Sequence, residues 1–141
     1  MQIALCHDEN YAPYSTVVMA SVMDHNQSMD ITFHILHTNL SEQKCIVIKN
    51  WVESHPNKSV KFYKMKKDDF TDFPIDEHTY LDYGAYIRLF LGECLVDIDK
   101  VLYLDCDIIV NSSLESLWNT GINEYAVAGV RDRINDYIRV Y

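Results

Sequence analysis

The stretch "DKVLYLDCDIIV", residues 99–110, runs a short apolar segment, Val101 to Leu104, directly into two aspartates one residue apart. The chain then turns apolar again. Burying an unpaired charge is expensive, so Asp105 and Asp107 require a metal ion, basic partners or water at a cleft. Side chains of an extended segment alternate, which puts both aspartates on one side, about 6–7 Å apart at their α-carbons, with Cys106 facing the other way. Two carboxylates on one side suit a hard cation such as Mn2+ or Mg2+, with positions left for water and phosphate oxygens. The structural alternative has Asp105 capping a turn and Asp107 paired with Arg88. An Asp-x-Asp triplet alone is common in proteins, and its weight here comes from following an apolar strand.

The flanking sequence alternates strand and helix. "QIALC" (2–6) reads as a strand that ends in the polar loop "HDEN", and a helix follows with Pro13 in its first turn. Tyr14, Val17, Val18, Ser21 and Val22 share one face of that helix by spacing. "ITFHILH" (31–37) and "SVKFYKM" (59–65) read as strands, and 41–55 as a helix with Ile48, Trp51, Val52 and His55 on one face. His34 and His37 fall on opposite faces of their strand, so they do not chelate one ion together. A further helix is expected over 83–94 with Tyr86, Leu89, Phe90 and Cys94 inward, then a central strand at 100–104. Ser112 and Glu115 form a capping box for a short helix through Trp118, and "YAVAGV" (125–130) reads as a last buried strand. Such alternation predicts an α/β, mainly parallel sheet with helices on both faces. Ligands of such sheets bind beyond the carboxyl ends of the strands. "CHDENY" after the first strand and "DCD" after the central one then share a rim.

Composition narrows the function further. The 141 residues carry 21 acidic against 12 basic side chains, a net charge of −9, which speaks against phosphate-backbone binding and hence against a nucleic-acid partner. Six acids crowd into 68–82, so an anionic ligand needs a cation to bring it in. Cys6, Cys45, Cys94 and Cys106 are scattered, without zinc or redox spacing, and read as reduced, mostly buried thiols of a cytoplasmic protein. No leader peptide and no transmembrane segment of about 18–20 apolar residues is visible. Peripheral membrane association stays open for a longer form.

Three segments, "IALCHDENYAPY" (3–14), "YGAYIRLFLGE" (83–93) and "DKVLYLDCDIIVNSSLESLW" (99–118), together resemble the N-terminal half of glycosyltransferase family 8. "FHIL" (33–36) and "DDFTDFP" (68–74) agree more loosely, and the resemblance runs along essentially the whole chain. It implies a GT-A, Rossmann-like fold and a retaining transferase of the bacterial lipopolysaccharide galactosyl- and glucosyltransferase type. Asp105 and Asp107 match the metal-binding pair that grips the diphosphate of a UDP-sugar through Mn2+, with Cys106 in the same triplet. Asp8 and Asn10 match the loop that recognises uracil and its ribose, Tyr11 an aromatic position beside the base, and Cys6 a backbone contact to the uracil. Arg88 matches the arginine beside donor sugar and phosphates, the residue given a catalytic part. Asp132, in "GVRDR", matches a donor-sugar contact. His7 is expected as an exposed neighbour of the pocket.

The family's third metal ligand is a histidine further along, followed by a glycine and a lysine. Here the last histidine is His78 and the last lysine Lys100. The resemblance thus implies the nucleotide-sugar-binding part of a GT-A domain over 1–141, truncated at the C-terminus and without the acceptor-binding half. The implied partners are a UDP-hexose donor and a saccharide or lipopolysaccharide acceptor; self-association through the truncated sheet edge belongs to the non-catalytic reading. Two other readings remain at this point. One is a non-catalytic nucleotide-binding module. The other is a haloacid dehalogenase-type phosphatase, which needs a downstream lysine that the 34 residues after Asp107 lack.

Overall fold

The computed structural model describes residues 1–71, 73 and 83–130. Its centre is a four-stranded sheet in the order β3-β2-β1-β4, with every neighbouring pair parallel. The strands are β1 (Gln2–His7), β2 (Ile31–His37), β3 (Lys58–Lys64) and the short β4 (Leu102–Tyr103). Helices α1 (Ala12–His25) and α2 (Glu42–Glu53) make the crossovers between the first three strands. α3 (Tyr83–Ile87), α4 (Leu91–Cys94) and α5 (Glu115–Trp118) are short.

Both faces of the sheet are covered, which is why β1 and β2 read as almost continuous apolar runs. One core packs Ile3, Leu5, Phe33 and Ile35 against Val18, Val22, Ile48 and Val52 of α1 and α2. A second joins Cys6 and Leu36 to Met65, Phe70 and Ile87 on the α3 side. The buried histidines of β2 are satisfied neutral groups. His34 Nε2–H donates to Gln2 Oε1 (2.7 Å), its Nδ1 accepts from the Tyr63 hydroxyl (2.9 Å), and His37 Nδ1 accepts from the Leu40 N–H (3.1 Å).

Several sequence expectations need correction. The buried stripe of α1 is Ala12, Ser15, Val18, Met19, Val22 and Met23, while Tyr14 and Val17 are exposed. The stripe is rotated by about one residue because Ser15 hides its hydroxyl by donating to Ala12 O (2.9 Å) and two methionines fill the core. Residues 83–94 are not one helix. A 3-10 turn at Arg88–Phe90 separates α3 from α4. Tighter winding carries Phe90 into a ring cluster with Phe70 (5.2 Å) and Phe73 (5.7 Å) and leaves Leu89 exposed. The strand expected at 100–104 is laddered only over Leu102–Tyr103, with Leu104 N–H adding a bond to Ala4 O, and it lies at the edge of the described sheet. Ser113, not Ser112, supports the turn into α5, its hydroxyl accepting from the Glu115 N–H at 3.2 Å. "YAVAGV" forms no strand. Tyr125, Val127 and Val130 are exposed, since no described strand flanks β4 on that side to give them a ladder. Cys6 and Cys106 are buried, but Cys45 and Cys94 are only half-buried; all four are free thiols.

Candidate active site

A cleft of about 370 Å³ opens at the carboxyl rim of β1 and β4, under α3. Cys6 reaches it from the end of β1, Asp8 and Tyr11 from the loop that follows, Arg88 from the 3-10 turn, and Asp105, Cys106 and Asp107 from the segment after β4. His7, Gly84, Ala85 and Tyr103 complete the wall. Segments about 80 and 100 residues apart in the chain thus meet because parallel strands all end on one side.

The first loop is held by its own aspartate. Asp8 Oδ1 accepts from the N–H groups of Asn10 (2.9 Å) and Tyr11 (3.0 Å), and Oδ2 accepts from the Asn10 side-chain amide (2.9 Å). This aspartate-centred turn starts α1 without a side-chain cap from Tyr11 itself. Asn10 does not line the cleft, and its amide acts on the Asp8 carboxylate instead. Tyr11 is 52% exposed, its ring 5.7 Å from that of Tyr14, so one face is free to stack. His7, expected to be exposed, is buried at 2%. Its Nδ1–H donates to the Asp8 carbonyl (2.7 Å), Nε2 has no partner among the described residues, and burial lowers its pKa, so the ring is neutral.

The two cysteines of the site lie on opposite faces of the sheet, in different core clusters. Cys106 Sγ–H donates to the Cys6 carbonyl at 3.5 Å. Burial pushes each thiol up to about 12, so both stay protonated and neither is a nucleophile.

Arg88 is held three ways. Its guanidinium lies 5.0 Å over the Tyr103 ring, its Nε–H donates to Ala85 O (3.1 Å), and Nη1 is 3.5 Å from Asp105 Oδ1. The basic partner thus faces Asp105, not Asp107. Tyr103 donates its hydroxyl to the same Oδ1 at 2.8 Å, and burial followed by that hydrogen bond pushes its pKa well up. Sequence reading missed Tyr103 although a signal existed, because strand residues two apart share a side. The turn at 106–107 breaks the expected alternation, yet Asp105 and Asp107 still reach one cleft. No third His, Cys, Asp or Glu groups with them among the described residues. Asp132 lies outside the described residues. A second cavity of about 420 Å³, near the C-terminal ends of α1 and α2, has its buried cation already committed: Lys58 Nζ donates to the carbonyls of Gln27, Met29 and Pro56.

Comparison with known proteins decides the family. The model described as glycosyl transferase family 8 matches residues 2–140. The chain belongs to glycosyltransferase family 8. A relative assigned to the glycosyltransferases in Haemophilus influenzae is 35% identical over 138 residues, 96% of this chain and 40% of its own length. Glycosyltransferase GlyF of Streptococcus pneumoniae is 29% identical over 92% of this chain and 31% of its own. Among solved structures, the galactosyltransferase LgtC, in complex with donor and acceptor sugar analogs, superposes with a TM-score of 0.75 at 35% identity, covering 86% of this chain and 43% of LgtC. The family 8 chain thus has the GT-A fold and spans less than half the length of these relatives. The phosphatase reading is set aside. No helix among the described residues is long and apolar enough to cross a membrane.

Proposed function

We propose that this family 8 chain binds a UDP-hexose in the rim cleft, as the donor side of a metal-dependent, retaining hexosyltransferase. The observation that carries the reading is the convergence of the Asp8 loop, Arg88 and the Asp105–Asp107 pair on one cleft. The Asp8 carboxylate, oriented by Asn10, accepts the imide N–H of uracil, a donor that cytosine lacks. Tyr11 stacks on the base. Arg88 donates to phosphate oxygens as negative charge grows on the leaving UDP. With the leaving phosphate helping to deprotonate the acceptor hydroxyl on the same face, the sugar transfers with retention.

The carboxylates fit Mn2+ or Mg2+: Asp105 Oδ2 and both oxygens of Asp107 have no hydrogen-bond or ion-pair partner among the described residues, and all are hard oxygen donors. Bound there, the ion supplies Lewis-acid neutralisation of the diphosphate. The protein would contribute Asp105 and Asp107 and leave the other positions to phosphate and water. The acceptor, a saccharide or lipopolysaccharide hydroxyl, belongs to the rest of the reading.

The test is calorimetric titration of UDP into the chain with and without Mn2+, repeated on Asp105→Asn/Asp107→Asn. Mn2+-dependent binding abolished in the double variant is the expected result. UDP binding indifferent to both aspartates, or none by the folded chain, overturns the donor-site reading. A second reading, self-association, is favoured by the edge of β4, which no described strand pairs, and by exposed Val96, Ile109, Leu117 and Val127. Sedimentation showing a monomer at high concentration would dismiss it.

A further inference from the structure

We propose that Tyr103 is the positioning residue of the carboxylate pair: with Arg88 it holds Asp105 Oδ1 so that Oδ2 alone is presented to a divalent cation. The inference rests on the donor-site reading above and adds a metal-selecting role for a residue outside the Asp-x-Asp triplet.

Tyr103 is fixed from below by the sheet. It pairs in register with Ala4, which is fully buried and too small to push the ring aside. Two residues further on, Asp105 lies on the same side, and the Tyr103 hydroxyl donates to its Oδ1 at 2.8 Å. The same ring carries the Arg88 guanidinium at 5.0 Å, and that guanidinium approaches the same Oδ1 at 3.5 Å. One aromatic side chain therefore sets both contacts to one oxygen. Oδ2 has no described partner. Asp107 lacks any such brace: no described residue bonds or pairs with its carboxylate.

With the Tyr103 hydroxyl on one lone pair of Oδ1 and the Arg88 guanidinium beside the same oxygen, an ion gripping both oxygens competes with those contacts and meets the arginine's positive charge. Asp105 is thus prepared as a one-oxygen ligand. Octahedral Mg2+ and Mn2+ accept such ligands, whereas larger Ca2+ takes 6–8 oxygens and readily uses two-oxygen carboxylates. Tyr103 consequently favours the small octahedral ions over Ca2+. A purely structural tyrosine would contribute to stability and leave that preference untouched.

The experiment is Tyr103→Phe, which keeps the ring and the Arg88 stacking and removes only the hydroxyl. Mn2+ and Ca2+ binding are titrated in the presence of UDP, the thermal midpoint is recorded, and the Asp105 side chain is followed in metal-free crystals. Loss of an outer partner of a metal ligand costs roughly 10–100-fold in metal affinity. The expected result is a loss of that size for Mn2+, a smaller loss for Ca2+, and a nearly unchanged midpoint. Equal losses for the two ions, or none, overturn the proposal. If the unaltered chain binds neither ion with UDP, the donor-site reading itself fails, and the metal-free crystals decide the rest. Asp105 spread over several rotamers in Tyr103→Phe then supports the positioning role, and an unmoved side chain overturns it.

Discussion

Replacing Arg88 with methionine separates an ion pair that merely decorates the cleft from a cation that holds the donor. In the free protein Arg88 Nη1 lies 3.5 Å from Asp105 Oδ1, with the side chains 45% and 54% exposed. Coulomb's law gives that pair about 1 kcal/mol at the dielectric of water and about 5 kcal/mol at an effective value near 20. Exposure places it at the low end, where surface pairs are worth about 0.2–1 kcal/mol. Methionine keeps an unbranched stem against the Tyr103 ring, so the loss of stability should stay near 1 kcal/mol. Binding should move further, and in two directions. A hydrogen bond to a charged group is worth about 1.5–3 kcal/mol, so UDP affinity at saturating Mn2+ should fall about 10- to 100-fold. Mn2+ alone should bind more tightly, because the Tyr103 hydroxyl still holds Asp105 Oδ1 while a positive charge competing for that carboxylate is gone; relief of about 1 kcal/mol is about fivefold. Thermal unfolding, calorimetry with UDP and a spin-resonance titration of free Mn2+ read the three quantities separately. Equal weakening of Mn2+ and UDP, or unchanged UDP affinity, would refute the reasoning.

Two further outcomes follow from buried groups. Burial pushes His34 and His37 down to about 4, with nearby Lys61 for the first and His7 and Lys64 for the second acting in the same direction. The unfolded chain therefore takes up protons between about pH 6.5 and 4 that the folded one refuses, so stability is full above that window and declines as pH falls through it. The loss should reach about 2 kcal/mol per histidine at pH 5. A urea midpoint that stays level or rises from pH 7 to pH 5 would sink this account. Lys58→Met should cost about 3 kcal/mol, since three carbonyls lose a shared charged donor that ties the end of α1 to the start of β3. A midpoint shift below about 0.5 kcal/mol would show that water takes over those carbonyls.

The sequence by itself determined the strand–helix alternation, the parallel sheet and the rim that carries the site. Apolar runs such as "QIALC" and "ITFHILH" need both faces covered, and parallel strands put the loops that follow them on one side. The Asp8 loop and the two aspartates were therefore legible as neighbours before any contact was known, and Arg88 joined them only through the family resemblance. Helix faces were not. The buried stripe of α1 depends on a serine that satisfies its own hydroxyl and on two methionines, and neither choice leaves a hydropathy signal. Likewise the break at Arg88–Phe90 is set by Phe70 and Phe73, brought in from an earlier segment. Only the tertiary structure decided that Arg88 and Tyr103 brace the same oxygen of Asp105, that Asn10 serves Asp8 and that His7 is sealed beneath the loop. Local pattern reports which side of an element a residue favours. Which atom it meets is settled when elements distant in the chain pack, because hydrogen bonds and ring contacts depend on tenths of an ångström that no periodicity encodes.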